Sequence, residues 1–131
     1  MTDIAVKKKR PIWFNLNLLN LPLAARVSIL HRVSGALLFV LAFWLLYLLD
    51  GSLASAERYD NVRQIVAHPL AKLILFVVLW AFLHHFFAGI RYLLLDLHVG
   101  IERGQAKSTS VAVFVVSLAL TVLLGGWLLW R

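Results

Sequence analysis

The chain has 131 residues, of which 62% are hydrophobic, with a mean hydropathy of +0.86 and a formal net charge of +7. This apolarity excludes an ordinary soluble domain. The basic residues cluster at the ends of apolar runs, so the charge indicates membrane orientation and no nucleic acid is expected as a partner. The absence of cysteine excludes an iron–sulfur cluster, a thiolate-ligated haem and a covalently attached haem on this chain.

Three apolar runs are each long enough to cross a bilayer core of about 30 Å. We therefore expect a single all-α integral membrane domain over residues 1–131, with three transmembrane helices surrounded by lipid. Three helices form only a small bundle, so a partner subunit is also expected. The predicted segments are a cytoplasmic or interfacial segment at 1–21, transmembrane helices at 22–50, 70–97 and 111–131, a periplasmic connection at 51–69 and a cytoplasmic turn at 98–110.

The basic residues are shared unequally between the two sides that these three spans create. Cytoplasmic loops of membrane proteins are enriched in lysine and arginine, so the richer side is expected to be cytoplasmic. That side contains the N-terminus and the turn at 98–110. It holds nine of the thirteen basic residues, namely Lys7, Lys8, Lys9, Arg10, Arg26, Arg32, Arg91, Arg103 and Lys107.

The first span carries polar residues at its cytoplasmic end, in the stretch SILHRVSG. Their spacing of three and four residues places four of them on one helix face. A hydroxyl, an imidazole and a guanidinium on one face can hydrogen-bond a carboxylate or the carbonyl oxygens of a quinone. The alternative is that the arginine is a positive-inside anchor and the serine an ordinary polar residue near a helix start. The four residues are Ser28, His31, Arg32 and Gly35.

The second span contains the stretch LHHFFAGIRYLLLD, whose ionisable groups are costly inside a membrane and usually face protein or a cofactor. His85 shares one face with Gly89, Tyr92 and Asp96, whereas His84 belongs to a different face with Ala88 and Arg91. A glycine one turn from an imidazole leaves room for a flat macrocycle. The alternative is a histidine that only hydrogen-bonds a neighbouring helix.

The two stretches together resemble the cytochrome b subunit of succinate dehydrogenase, the larger membrane anchor of respiratory complex II. Residues 28–35 match the family pattern Ser-x-x-His-Arg-x-Ser/Thr-Gly, and residues 85–96 match its second-helix signature His-x3-Gly-Ile-Arg-x4-Asp. Arg10-Pro11 precedes the first helix, and the likeness extends over nearly the whole chain. One departure is Tyr92, which stands where the family commonly has a histidine and cannot replace an imidazole as an iron ligand.

The resemblance implies an anchor subunit of a succinate:quinone oxidoreductase that is not catalytic alone. It implies one haem b shared with a second haem-ligating anchor, together with an iron–sulfur subunit, a flavoprotein subunit and quinone as substrate. His85 maps to the axial ligand of the haem iron, whereas His84 has no support from the motif. We further expect His31 and Arg32 to bind the haem propionates, and Ser28 and Arg32 to bind quinone. The expected location is the bacterial cytoplasmic (inner) membrane, with multiple spans.

Two other functions are compatible with parts of this pattern. One is the anchor of a related quinol:fumarate reductase, which works in the opposite direction. The other is a haem-free structural or transport subunit whose polar residues line a helix interface, which predicts no haem absorbance. The second leaves the paired motifs unexplained.

Overall fold

The computed structural model describes residues 20–130, and four α-helices account for most of this part of the chain. Three of them are long and apolar enough to cross a membrane, so the predicted all-α fold with three spans is confirmed and the chain is a multi-pass membrane protein. Most of the predicted segment 1–21 and the last residue of the predicted third span lie outside the described residues. The helices are α1 (Leu23–Ala54), α2 (Ala56–Ala67), α3 (Pro69–Asp96) and α4 (Arg103–Trp130).

Helix α1 is longer than the sequence predicts. It begins after Pro22, but it continues through Asp50 and Gly51, where an end was expected, as far as Ala54. A Cβ atom at Gly51 would lie 2.9 Å from Val62 Cγ2, so this glycine permits close packing of α2 on α1 instead of forming a turn. Ser55 separates α1 from α2. Its hydroxyl accepts a hydrogen bond from the Arg58 amide and caps the N-terminus of α2.

Helix α4 also begins earlier than expected, at Arg103 instead of residue 111. Its first turns contain Gln105, Ala106 and Lys107, which favour helix. They are also held to α3, because Arg91 Nε donates to Thr109 Oγ1 at 3.1 Å. The connection between α3 and α4 is therefore short, and the polar stretch predicted as a turn is largely helical.

Helix α3 packs against both α1 and α4, and small residues line these contacts. Lipid tails are as apolar as leucine, so membrane helices associate through close packing of small side chains instead of hydrophobic burial. A Cβ atom at Gly125 would lie 2.6 Å from Phe76 Cδ2, which shows how near α4 approaches α3. The buried hydroxyl residues are Ser34 on α1 and Ser110, Ser117 and Thr121 on α4.

Candidate functional site

The two sequence motifs meet where α1 crosses α3. The imidazole rings of His31 and His85 are stacked, with centroids 4.1 Å apart and planes within 9°. Nδ1 of His85 lies 3.0 Å from the backbone carbonyl oxygen of His31. A carbonyl oxygen can only accept a hydrogen bond, so Nδ1 carries the proton and the lone pair of His85 is on Nε2.

The His85 ring lies directly over Gly35 of α1. A Cβ atom at position 35 would lie 2.8 Å from Cε1 and 3.2 Å from Nδ1 of His85, closer than real side chains allow. At Gly89, by contrast, a Cβ atom would meet only His31 Nε2, at an ordinary 3.8 Å. Gly35 is therefore the glycine that admits the His85 ring. The expectation that Gly89 leaves room for a macrocycle stays a prediction.

This geometry leaves Nε2 of His85 available to ligate a metal. Metal-bound histidines commonly donate their second ring N–H to a carbonyl or carboxylate, which fixes the ring and makes the ligating nitrogen more basic. Within the described residues, Nε2 of His85 has no hydrogen-bond partner. The same part of the chain contains no group of three His, Cys, Asp or Glu residues that could hold a metal ion.

The neighbouring His84 lies in a different environment. It is fully buried, with its ring centroid 5.3 Å from that of Trp80 and 5.4 Å from that of Phe114 on α4. In the described part of the chain neither ring nitrogen has a hydrogen-bond partner of normal geometry, although the backbone of Val27 lies beside the ring. His84 is enclosed among the three long helices, whereas His85 is only partly buried.

Ser28 and Arg32 lie on α1, close in sequence to His31. Ser28 is half-buried and Arg32 is exposed. Neither contacts His85 through a hydrogen bond, and the ion pair found among the described residues, Arg58 with Asp50, involves neither of them.

The structure shows the surroundings of Tyr92 and Arg91, which follow Gly89 on α3. The ring of Tyr92 lies 5.2 Å from that of His31, and its hydroxyl oxygen is buried without a partner among residues 20–130. Arg91 is buried against α4, where it donates to the hydroxyl of Thr109 and, at 3.5 Å, to the carbonyl of Ala106. Both of these partners are neutral groups.

Sequence reasoning missed Ser34 as a contact of His85. The Ser34 hydroxyl is buried, lies 3.4 Å from His85 Nδ1 and donates to the His31 carbonyl. The available signal was its place in the Ser-Gly pair that ends the first motif.

The comparison with known proteins shows the family of this chain. The family model described as the succinate dehydrogenase/fumarate reductase transmembrane subunit matches residues 6–124. The chain belongs to this family. The succinate dehydrogenase cytochrome b556 subunit of Coxiella burnetii is 38% identical over 121 residues, which are 92% of this chain and 97% of that protein. The subunits of the same name from Rickettsia felis and Paracoccus denitrificans are each 32% identical, covering 94% of this chain and 96% and 94% of their own lengths.

Family membership confirms the resemblance that the two motifs predicted. It makes this transmembrane chain a membrane anchor related to the cytochrome b subunits of succinate dehydrogenase, and hence part of an oxidoreductase complex.

Proposed function

We propose that this chain is the membrane-anchor cytochrome b subunit of a succinate:quinone oxidoreductase, sharing one haem b with a second anchor subunit and forming part of the quinone-reduction site. The family description also covers fumarate reductases. The relatives named above are succinate dehydrogenase subunits, which favours succinate oxidation over the quinol:fumarate alternative.

The arrangement of His85 is the observation that carries this proposal. Its Nδ1–H is held by the His31 carbonyl at 3.0 Å, so Nε2 is left to coordinate iron. It lies eleven residues before Asp96, about 16 Å along the helix and so near the middle of the bilayer. When bound, the haem supplies a one-electron redox centre inside the membrane. A histidine of the partner anchor would supply the second ligand to the iron.

The polar residues next to His85 suit the charged edge of such a cofactor. An unpaired carboxylate buried in a membrane costs several kcal/mol, so propionates need cationic or hydrogen-bonding partners. We assign His31 and Arg32 to this role. The ring of His31 stacks on His85, and the buried hydroxyl of Tyr92 beside it is an additional donor without a partner among the described residues.

Quinone would bind close to the propionates, at the end of α1 that carries Ser28 and Arg32. Ser28 and Arg32 supply a hydroxyl and a guanidinium that can donate to quinone oxygens, and the exposed position of Arg32 leaves it free to reach a ligand or partner. Quinone reduction takes up two protons with two electrons, so these donors would lie where water can reach them. Arg32 then lies between propionate and quinone.

The remaining redox centres belong to other subunits. The chain has no cysteine to hold an iron–sulfur cluster, so the clusters would belong to an iron–sulfur subunit on the cytoplasmic side. The flavin would belong to a flavoprotein subunit on the same side. The excess of basic residues at that end supports a cytoplasmic N-terminus in a bacterial inner membrane.

The absorption spectrum of the co-purified complex, recorded before and after succinate is added, tests this function. We expect a low-spin b-type haem that succinate reduces. A complex that contains all four subunits and oxidises succinate, but has no haem absorbance, would contradict the proposal and favour the haem-free structural alternative.

A further inference from the structure

The carbonyl oxygen of His31 accepts hydrogen bonds from two different side chains. One donor is His85 Nδ1 and the other is the hydroxyl of Ser34, both at 3.0 Å. The two donors are themselves 3.4 Å apart, and Ser34 is only 1% exposed. In this low-dielectric setting the two bonds compete for the electron density of one oxygen, so each affects the strength of the other.

Gly35, the next residue of α1, fixes how closely the His85 ring can approach that oxygen. The shortest separation from a Cβ atom at position 35 is 2.8 Å, to Cε1 of the ring. Because the clash includes the ring atoms next to Nδ1, a methyl group here would move the ring away from the His31 carbonyl. Ser34 and Gly35 thus act on the same hydrogen bond in different ways.

We propose, on the basis that His85 ligates haem iron as in the proposed function, that Ser34 and Gly35 are positioning residues that set the reduction potential and occupancy of the haem. A stronger hydrogen bond from Nδ1–H makes the imidazole a better electron donor, which stabilises ferric iron and lowers the potential. Ser34 competes for the accepting carbonyl, so it holds the potential higher than His31 and His85 alone would. Gly35 provides the clearance that the bond requires.

The local role of a helical serine does not account for this arrangement. Ser117 on α4 is equally buried and donates to the Phe114 carbonyl three residues earlier, as Ser34 does to His31. His85 does not share the Phe114 carbonyl, since among the described residues its Nδ1 contacts are the His31 carbonyl and Ser34. Ser117 is therefore a matched control in which the same bond exists without a ligand attached.

The role of Ser34 is tested on the assembled complex. The measurements are the haem midpoint potential and the low-temperature EPR spectrum of the ferric haem. We expect Ser34→Ala to lower the potential and shift the EPR g-values. Ser34→Thr keeps a hydroxyl and should restore both, while Ser117→Ala should match the wild type. A Ser34→Ala complex with unchanged potential and EPR spectrum would overturn the inference.

The role of Gly35 is tested by measuring the haem content of each complex. We expect Gly35→Ala to lose haem or to give an altered ferric EPR spectrum, whereas Gly126→Ala should not, because no atom lies within 4 Å of a Cβ there. Normal haem content and a normal EPR spectrum in Gly35→Ala would overturn the role assigned to Gly35.

A His85→Ala variant distinguishes failure of this inference from failure of the proposed function. If it changes the haem spectrum while the Ser34 and Gly35 variants do not, this inference fails alone; if it changes nothing, the proposed function fails as well.

Discussion

His84 and His85 are adjacent in sequence, yet the fold gives them different surroundings. Successive residues of a helix point about 100° apart. His84 is therefore enclosed against Trp80 and Phe114, whereas His85 meets the backbone of α1. Hydropathy could not separate the two, because α3 is apolar on nearly every side. The family motif indicates His85 as the haem ligand. The hydrogen bond of His85 to the His31 carbonyl is a separate physical argument for the same choice.

Ser28 and Arg32 give the clearest prediction at this scale. A hydrogen bond from a charged group contributes about 1.5–3 kcal/mol and one between neutral groups about 0.5–1.5 kcal/mol. Loss of the Arg32 guanidinium should therefore lower quinone reduction about tenfold or more, and loss of the Ser28 hydroxyl should lower it less. We expect Ser28→Ala and Arg32→Leu to depress succinate:quinone activity while succinate oxidation with an artificial soluble acceptor persists. Steady-state assays with the two acceptors, on the same preparation, measure this.

Residues of the same type on α4 provide the controls for that experiment. Ser108 and Arg103 are exposed in the first turns of α4, and Ser108→Ala and Arg103→Leu should leave both activities intact. Equal loss of both activities in the α1 variants would indicate failed assembly, and full quinone activity in both would exclude these residues from the quinone site.

Among the helices, the close contact of α3 with α4 depends on one glycine. A Cβ atom at Gly125 would lie 2.6 Å from Phe76, and overpacking of this kind typically costs about 1–3 kcal/mol. We expect Gly125→Ala to lower the thermal stability of the purified complex. The neighbouring Gly126 has open space, so Gly126→Ala should be neutral or slightly stabilising. Equal melting temperatures for the two variants would contradict this packing.

Sequence patterns identified the elements better than their ends. Three long apolar runs were sufficient to predict three spans, because length and hydropathy are local properties. The end of α1 was misplaced because Asp50-Gly51 reads as a turn, whereas Gly51 serves to admit α2. The start of α4 was misplaced because its first turns are polar and are held by a contact from Arg91 on another helix.

The candidate site was predictable only in part, for the same reason. The motif supplied His31 and His85, and both lie at one helix crossing. The contacts of Ser34 and Gly35 with His85 depend on the distance and rotation of α1 relative to α3. Neither quantity can be obtained from the periodicity of single helices that are apolar all round.

At the scale of the whole molecule, the distribution of charge predicts orientation. The chain has no cysteine, so single cysteines can be introduced and labelled without a background signal. Asn61 in α2 and Ser108 in α4 are both exposed and lie at opposite ends of the spans. We expect Asn61→Cys to react with a membrane-impermeant maleimide from the periplasmic side and Ser108→Cys only from the cytoplasmic side. Labelling with the sides reversed would contradict a cytoplasmic N-terminus.

The molecule as a whole exposes much apolar surface. Large apolar side chains such as Phe39, Leu53 and Leu123 are 67–78% exposed, as expected for surfaces that face lipid or another membrane subunit. In the proposed function His85 would supply one ligand to the haem iron and a partner subunit would supply the other. The shared cofactor would thereby couple haem binding to assembly.

The reduced-minus-oxidised absorption spectrum of the assembled complex carrying His85→Ala tests the central claim most directly. We expect the low-spin b-type spectrum to be lost or clearly altered, while His84→Phe, which replaces one aromatic ring by another at the buried neighbour, retains it. A His85→Ala complex with the same difference spectrum as the wild type would show that this residue does not ligate the haem.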